Sequence, residues 1–147
     1  MKRYCLLLLV PILLGCSVST GRDAYERALA YVEQGDAPQA LACLKEAAHK
    51  ATHDSLRAMV YNEMGSLLFN EGLQEQALDA YLMAYQANCR LSDTIGMAYI
   101  QADIANVYRT READDSCIYY FDQAVELARS QGDSLLVTDI QNQLAGY

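Results

Sequence analysis

The chain has 147 residues, of which 19 are acidic and 11 are basic, and its formal net charge is −8. This length suits one modest domain with its own apolar core. The excess of acidic residues repels phosphates and no basic stripe offsets it, so we expect no nucleic-acid partner.

The first fifteen residues have the three parts of a secretory signal peptide. Lys2 and Arg3 precede an apolar run over residues 4–14, and the small Gly15 follows it. A run of this length is too short to span a bilayer comfortably, because spanning takes about 20 apolar residues. We therefore predict an export signal over residues 1–15 that is removed from the mature chain.

Residues 13–16, Leu-Leu-Gly-Cys, resemble the lipobox of bacterial lipoproteins. The resemblance implies cleavage between Gly15 and Cys16, with acyl chains such as palmitate attached at Cys16. Each buried CH2 contributes about 0.8 kcal/mol, and several chains give stable anchoring. The alternative is an ordinary secretory signal with an incidental cysteine. We expect a membrane-anchored lipoprotein of the cell envelope that faces the periplasm by default. The lipidated cysteine and a short flexible spacer would occupy residues 16–21, and the mature net charge would be −10.

From residue 22 onward, apolar residues recur at helical spacing in seven segments. Gly35 and Gly72 mark two helix ends, and Pro38 fits the first turn of a helix. The domain predicted over residues 22–147 is therefore all-α. We predict helices over 22–34, 38–51, 54–70, 74–90, 93–111, 114–131 and 134–145.

A second signal recurs where helices are predicted to begin. Asp54, Asp93 and Asp133 are 39 and 40 residues apart, and each can accept hydrogen bonds from the free amides of a helix start. Asp114, Asp115 and Ser116 are predicted to cap the sixth helix in the same way.

Three stretches share one pattern of large and small residues. Aligned on Ala40, Ala77 and Cys117, the units are 37 and 40 residues apart, which is typical of stacked helix pairs. Such a pair cannot bury its apolar face alone, so it stacks on a neighbour, and a curved stack leaves a concave surface. The units read Ala28-x2-Tyr31 then Ala40-x3-Leu44-x2-Ala47; Tyr61-x2-Met64-Gly65-x2-Leu68 then Ala77-x3-Tyr81-x2-Ala84; and Ile104-Ala105-x2-Tyr108 then Cys117-x3-Phe121-x2-Ala124.

These residues resemble the tetratricopeptide repeat (TPR) family, whose pattern is W-x2-L-G-x2-Y followed by A-x3-F. The resemblance covers three units and implies an α-solenoid of stacked antiparallel helix pairs. Gly65 would let paired helices approach closely, while Tyr81, Phe121 and Leu44 would fill the gaps between units. The third unit departs from the pattern at Gln101, which stands at the tryptophan position.

The segment after the third unit begins another first helix. Leu135, Leu136, Ile140 and Leu144 form its apolar stripe. This helix either caps the last apolar face of the stack or is the first part of a longer ancestral array whose remaining units were lost.

In the TPR family, the first helix of each unit builds the concave wall. On this wall, the side-chain amides of Asn62 and Asn106 could donate hydrogen bonds to a peptide backbone and accept them from it. Neighbouring aromatic and methionine side chains would offer adaptable apolar contacts. The resemblance implies a peptide-binding groove lined by Tyr25, Met59, Asn62, Ser66, Phe69, Tyr99, Asn106 and Arg109. The lysine, asparagine and arginine clamp with which some members grip chaperone C-termini is absent, since the matching positions carry Tyr25, Leu29, Glu63, Tyr99 and Asp103.

Three cysteines lie beyond Cys16 where the pattern calls for a small or apolar helix residue. Cys43, Cys89 and Cys117 are predicted to be buried thiols, with one structural disulfide as the alternative.

The chain offers little to support catalysis or metal binding. His49 and His53 are four residues apart, which would place two imidazoles on one helix face, but Lys50 stands where a zinc protease needs glutamate. No glycine-rich phosphate loop or strained nucleophile turn is present, and Asp114 and Asp115 fit helix capping better than an acid–base pair. We predict no enzyme activity, no cofactor and no small-molecule substrate.

The sequence therefore favours a non-catalytic module that binds an envelope protein or peptide in a concave groove. Lipid at Cys16 would provide its membrane contact. The alternative is the sensory input fragment of an envelope signalling or regulatory protein, since similar exported repeat arrays in some bacteria lead into a membrane helix and a regulatory domain. Metal capture by His49 and His53 is a third hypothesis.

Overall fold

Seven α-helices follow one another in the computed structural model, which describes residues 20–145, with side chains described to residue 143. No strand occurs within that range, so the predicted all-α class is confirmed. The predicted signal peptide, the lipobox and Cys16 lie outside the described residues. The helices are α1 (Gly21–Glu33), α2 (Ala37–Lys50), α3 (Asp54–Asn70), α4 (Gln74–Leu91), α5 (Thr94–Thr110), α6 (Asp114–Ser130) and α7 (Ser134–Ala145).

Most of the predicted helix-end signals act as expected. Gly35 and Gly72 have φ values of 72° and 76°, which glycine adopts without steric cost. The Asp93 carboxylate accepts from the Gly96 amide at 2.9 Å and caps α5. Asp133 accepts from the amides of residues 135 and 136 at 3.0 Å, which caps the start of α7.

Two predicted caps are wrong. Asp54 lies inside the first turn of α3, whose N-cap is His53, and its carboxylate instead contacts Arg57 at 3.2 Å and Arg90 at 3.0 Å. The hydrogen bonds from these two arginines hold the pKa of Asp54 below its usual value, the one from Arg90 most strongly. The sixth helix is capped by Ala113 without a side-chain bond, so Asp114 favours α6 through the helix dipole.

The first helix begins earlier than predicted. The Thr20 hydroxyl accepts from the Asp23 amide at 3.1 Å, and the Asp23 carboxylate accepts from the Thr20 amide at 2.7 Å. This reciprocal capping box makes Thr20 and Gly21 part of the folded domain, although both were assigned to the flexible spacer.

Helix order determines which helices form the inner wall. Each helix packs against the next one in the chain, and α1 also contacts α3, α3 contacts α5, and α5 contacts α7. Within residues 20–145, no Cα atom of α2, α4 or α6 lies within 8 Å of a Cα atom of another of these three helices. The odd-numbered helices therefore lie closer together and form the concave side of a curved stack.

Two clusters of buried side chains fill the stack. The N-terminal core lies mainly between α1 and α4 and includes Leu44, Val60 and Tyr81. The C-terminal core lies between α5 and α7 and includes Phe121 and Ile140. Tyr108 and Tyr120 pack against both, with their rings stacked at 5.3 Å between centroids, so the two cores are continuous.

The closest approach within a helix pair occurs at Gly65. A Cβ atom at this position would lie 2.6 Å from ring carbons of Tyr81. The predicted role of Gly65 is confirmed, because the Tyr81 ring occupies the space that a side chain on α3 would need.

The cysteines follow the prediction in two of three positions. Cys43 and Cys117 are buried, whereas Cys89 is exposed, and all three are thiols in the structure. The prediction of burial is wrong for Cys89 because its position on α4 faces solvent near the end of the helix.

Candidate functional site

Two recesses open on the helices of the concave side. The larger, here called the central recess, has a volume of about 650 Å³. The smaller, here called the α3–α5 recess, has a volume of about 380 Å³ and lies at the N-terminal halves of α3 and α5. The central recess is lined by Ser66, Phe69, Tyr81, Asp103, Asn106, Arg109, Thr110, Asn142 and Gln143.

The predicted groove residues are divided between these recesses. Ser66, Phe69, Asn106 and Arg109 line the central recess. The α3–α5 recess contains the other predicted residues of those two helices, which are Met59, Asn62 and Tyr99. The side chains of Met59 and Tyr99 are each 40% exposed, so they are available for contact.

Tyr25 does not belong to either recess. It is 8% exposed and packs in the N-terminal core. Burial of its ring, and more weakly the charge of Glu63, raises the pKa of its hydroxyl. The prediction that Tyr25 lines the groove is wrong, because packing of α1 on its neighbours covers this side chain.

The central recess also includes residues that the sequence did not indicate as binding residues. Tyr81 was expected to serve as core alone, but it lines the recess while its ring remains buried. Asn142 and Gln143 come from α7, a helix for which no binding role was predicted. Asp103 lies one helical turn before Asn106, and this spacing is the sequence signal that could have placed it on the same face.

Burial shifts the pKa values of two groups in the central recess. It raises the pKa of Asp103 to about 6, and no other cause contributes to that shift. Burial also raises the pKa of Tyr81, assisted by the carboxylates of Asp103 and Glu63 and opposed by a hydrogen bond with Ser66. The recess is therefore a partly desolvated site in which negative charge is unfavourable.

Hydrogen bonds order the C-terminal end of α5 beside the recess. An Arg109 guanidinium nitrogen donates to the Asn106 carboxamide oxygen at 2.9 Å and so holds the orientation of that carboxamide. The Thr110 hydroxyl donates to the Val107 carbonyl at 2.8 Å and accepts from the Gln74 side chain at 3.1 Å. These bonds give the polar groups of this wall defined positions before any partner binds.

The histidine pair does not form the arrangement that a metal site on one helix would need. Helix α2 ends at Lys50 and Ala51 is extended, so His53 stands at the start of α3 instead of one turn after His49 on the same helix. Among the described residues, no group of three histidine, cysteine or acidic side chains is arranged to hold a metal ion.

Within residues 20–145, no helix has both the length and the apolar character needed to cross a bilayer.

No protein-family model and no curated protein matches the chain. Among solved structures, the N-terminal domain of stress-induced protein-1 (STI-1) from C. elegans superposes with a TM-score of 0.70 at 14% identity, covering 84% of this chain and 93% of that chain. BtubC (BKLC) from P. vanneervenii also has a TM-score of 0.70, at 17% identity and covering 84% of this chain, which spans 52% of BtubC. At such identities the likeness shows the fold. The chain folds as a TPR-like helical repeat, as the sequence pattern predicted.

Proposed function

We propose that this chain is a non-catalytic protein-interaction module of the bacterial cell envelope, anchored by lipid at Cys16, that binds a protein or peptide segment along its concave side. The observation that carries the proposal is the central recess, where three inner helices bring polar and aromatic side chains together. Its volume of about 650 Å³ falls within the range of specific binding sites, which is roughly 300–1,000 Å³.

The chemistry of the lining suits a polypeptide. The carboxamides of Asn142 and Gln143 can each donate to a backbone carbonyl and accept from a backbone amide, and the NH2 group of Asn106 can donate. Phe69 supplies an apolar surface beside them. An extended segment needs this combination, because its backbone requires hydrogen bonds while its side chains require pockets.

Selection of peptides on the full-length protein in detergent micelles tests the binding function. A display library of random twelve-residue peptides is panned at pH 7.5, and the affinities of enriched peptides are measured by fluorescence anisotropy. Ser66→Leu places a branched apolar side chain in the central recess, and we expect it to weaken binding at least tenfold.

The matched control is Gln86→Leu, which introduces the same leucine side chain at an exposed position of α4 outside both recesses. It should leave the affinity unchanged. Failure to enrich any peptide, or equal affinity for wild type and Ser66→Leu, would contradict the proposed groove.

The lipid anchor is tested separately by labelling bacteria that express the chain with radioactive palmitate. We expect label on the wild-type protein and a mature N-terminus at Cys16 by mass spectrometry. Cys16→Ala should lose the label, whereas Cys89→Ala, at an exposed cysteine of the folded domain, should keep it. Label that persists on Cys16→Ala would disprove attachment at this residue.

A further inference from the structure

We propose that the central recess binds a lysine or arginine side chain of the partner, whose positive charge pairs with the Asp103 carboxylate. This inference rests on the proposed function, since it specifies which kind of segment the concave side accepts. It is the opposite of the chaperone-tail clamp of some TPR proteins, in which cationic side chains grip a carboxylate.

Asp103 is the residue that carries the inference. It lines an open recess, yet its surroundings desolvate it enough to disfavour its charged form. Among the described residues, no lysine, arginine or histidine forms an ion pair with Asp103. A partly buried carboxylate without a cation is costly, and a cation supplied by a partner removes that cost.

The side chains that α3 and α4 contribute near Asp103 are neutral or negatively charged. Helix α3 contributes Ser66, and the carboxylate of Glu63 on the same helix is close enough to raise the pKa of Tyr81. Helix α4 contributes the Tyr81 hydroxyl, which is neutral at physiological pH. These groups favour a cation and would oppose a second anion.

The remaining sides of the recess complete the site. Helix α7 contributes the neutral carboxamides of Asn142 and Gln143, whose oxygens can accept from an ammonium or guanidinium group. Arg109 is the cation of the recess wall, and its bond to Asn106 directs at least one of its nitrogens to that carboxamide. A bound lysine would therefore place its ammonium group close to Asp103 and away from Arg109. This position keeps the repulsion between the lysine and Arg109 charges small.

Two aromatic rings suit the rest of a cationic side chain. Phe69 and Tyr81 line the same recess as Asp103. Methylene groups of lysine or arginine can pack on such rings, and the charged end gains an attraction to their faces. The net charge of −8 adds a long-range attraction for a basic segment.

The test uses three twelve-residue peptide libraries that carry lysine, glutamine or glutamate at a fixed central position. Each is panned on the full-length protein in detergent micelles at pH 7.5. We expect the lysine library to yield the tightest peptides. For such a peptide, changing the central lysine to glutamine should weaken binding about tenfold, and Asp103→Asn should weaken it to a similar extent. The two changes together should have little further effect, because they remove the same interaction.

The pH dependence gives a second readout. With a pKa of about 6, Asp103 is charged at pH 7.5 and about nine-tenths protonated at pH 5. The dissociation constant of the lysine peptide should therefore rise about tenfold between these pH values for wild type and change little for Asp103→Asn. Asp79→Asn removes one charge from an exposed position of α4 outside the central recess and should retain the wild-type pH dependence.

The outcomes separate the inference from the function on which it rests. If peptides sensitive to Ser66→Leu are enriched equally from all three libraries, or if Asp103→Asn leaves their affinity unchanged, the recess binds segments but the cation pairing is wrong. If no library yields a peptide sensitive to Ser66→Leu, both the inference and the proposed groove are wrong.

Discussion

The two cores of the stack are built from different side chains. Six of the 17 buried residues of the N-terminal core are alanines, and the remainder include large side chains such as Leu44, Met64 and Tyr81. In the C-terminal core, five of the nine buried residues described are alanines. Large side chains bury more apolar area, so the N-terminal core contributes more stabilisation per residue than the C-terminal core.

This difference matters because a stack of repeats is stabilised by contacts between neighbours. Helix α7 has a neighbour on one side within the described range and makes its principal contacts with α6. Local opening with a small free-energy cost is expected where apolar contacts are few. We therefore expect the C-terminal end of the fold to open more readily than the N-terminal core.

The largest effect should come from removing one large side chain from each core. Leu44→Ala should reduce the free energy of unfolding by about 4 kcal/mol, because Leu44 is fully buried and leaves a cavity. Leu136→Ala should instead release α7 locally and accelerate its amide exchange before global unfolding. Urea denaturation and amide hydrogen exchange check the two expectations. Exchange in α7 that is no faster than in α3 would contradict the difference between the cores.

A second comparison concerns helix spacing. Gly65→Ala should destabilise the protein by about 3 kcal/mol, because its Cβ would overlap the Tyr81 ring. At the matching position of the C-terminal core, Ala105 already carries a Cβ and is fully buried. Thermal denaturation measures the loss, and Asn62→Ala on the exposed face of α3 is the control. Combining Gly65→Ala with Tyr81→Leu should cost less than the sum of the two single changes. Full additivity would show that the ring is not the obstacle.

A third prediction concerns Asp103, on the helix that joins the two cores. Its folded pKa of about 6 exceeds the reference value of 3.8, so its contribution to stability is fully present below pH 3.8 and is lost as the pH rises through about 6. The difference between these values corresponds to at most about 3 kcal/mol, and partial exposure of the side chain reduces it.

Asp103→Asn should therefore be more stable than wild type at pH 7.5, and the advantage should shrink towards pH 4. Urea denaturation at several pH values measures the difference between the two proteins. Asp23 and Asp54 have lowered pKa values, so their contributions to stability depend on pH in the opposite sense. Both residues are present in wild type and in the variant, and their contributions cancel when the two stabilities are subtracted. A difference that is independent of pH would contradict the assignment.

The smallest expected effect is a gain at Gln101. This side chain is buried, and its Oε1 atom has no hydrogen-bond partner in the structure. Gln101→Leu should raise the free energy of unfolding by about 1 kcal/mol, because it removes an unsatisfied buried acceptor. Tyr85, which shares a hydrogen bond with Gln101, is partly exposed and can bond to water instead. Gln86→Leu on α4 is the exposed control. Destabilisation by Gln101→Leu would show that the polar side chain is needed in the core.

The sequence predicts the helices well because their signals are local. Apolar spacing depends on neighbouring turns, and Gly35, Gly72 and Asp93 act within their own helix ends. Asp54 was misassigned because Arg90 comes from the next helix along the stack, and no local pattern reports that contact. The repeat pattern also placed Gly65 correctly, since the constraint follows from how two helices of one unit pair.

The candidate site was less predictable because it depends on curvature. Helical spacing put Ser66, Asn106 and their neighbours on one face, but it could not show that the wall divides into two recesses. Tyr25 occupies the equivalent face of α1 and is nevertheless covered by packing. The participation of Asn142 and Gln143 depends on how far the stack bends, which the order of apolar residues does not encode.

If a segment binds in the central recess as proposed, its occupancy is coupled to the attachment of α7, because this last helix forms part of the recess wall. Asn142 and Gln143 face the same space as Tyr81, whose ring belongs to the N-terminal core. Detachment of α7 removes one wall of the recess. The apparent affinity for a bound segment would therefore fall in proportion to the fraction of molecules in which α7 is detached. By the same linkage, a bound segment lowers the population of molecules in which α7 is detached, so this end of the fold would report binding as protection against hydrogen exchange.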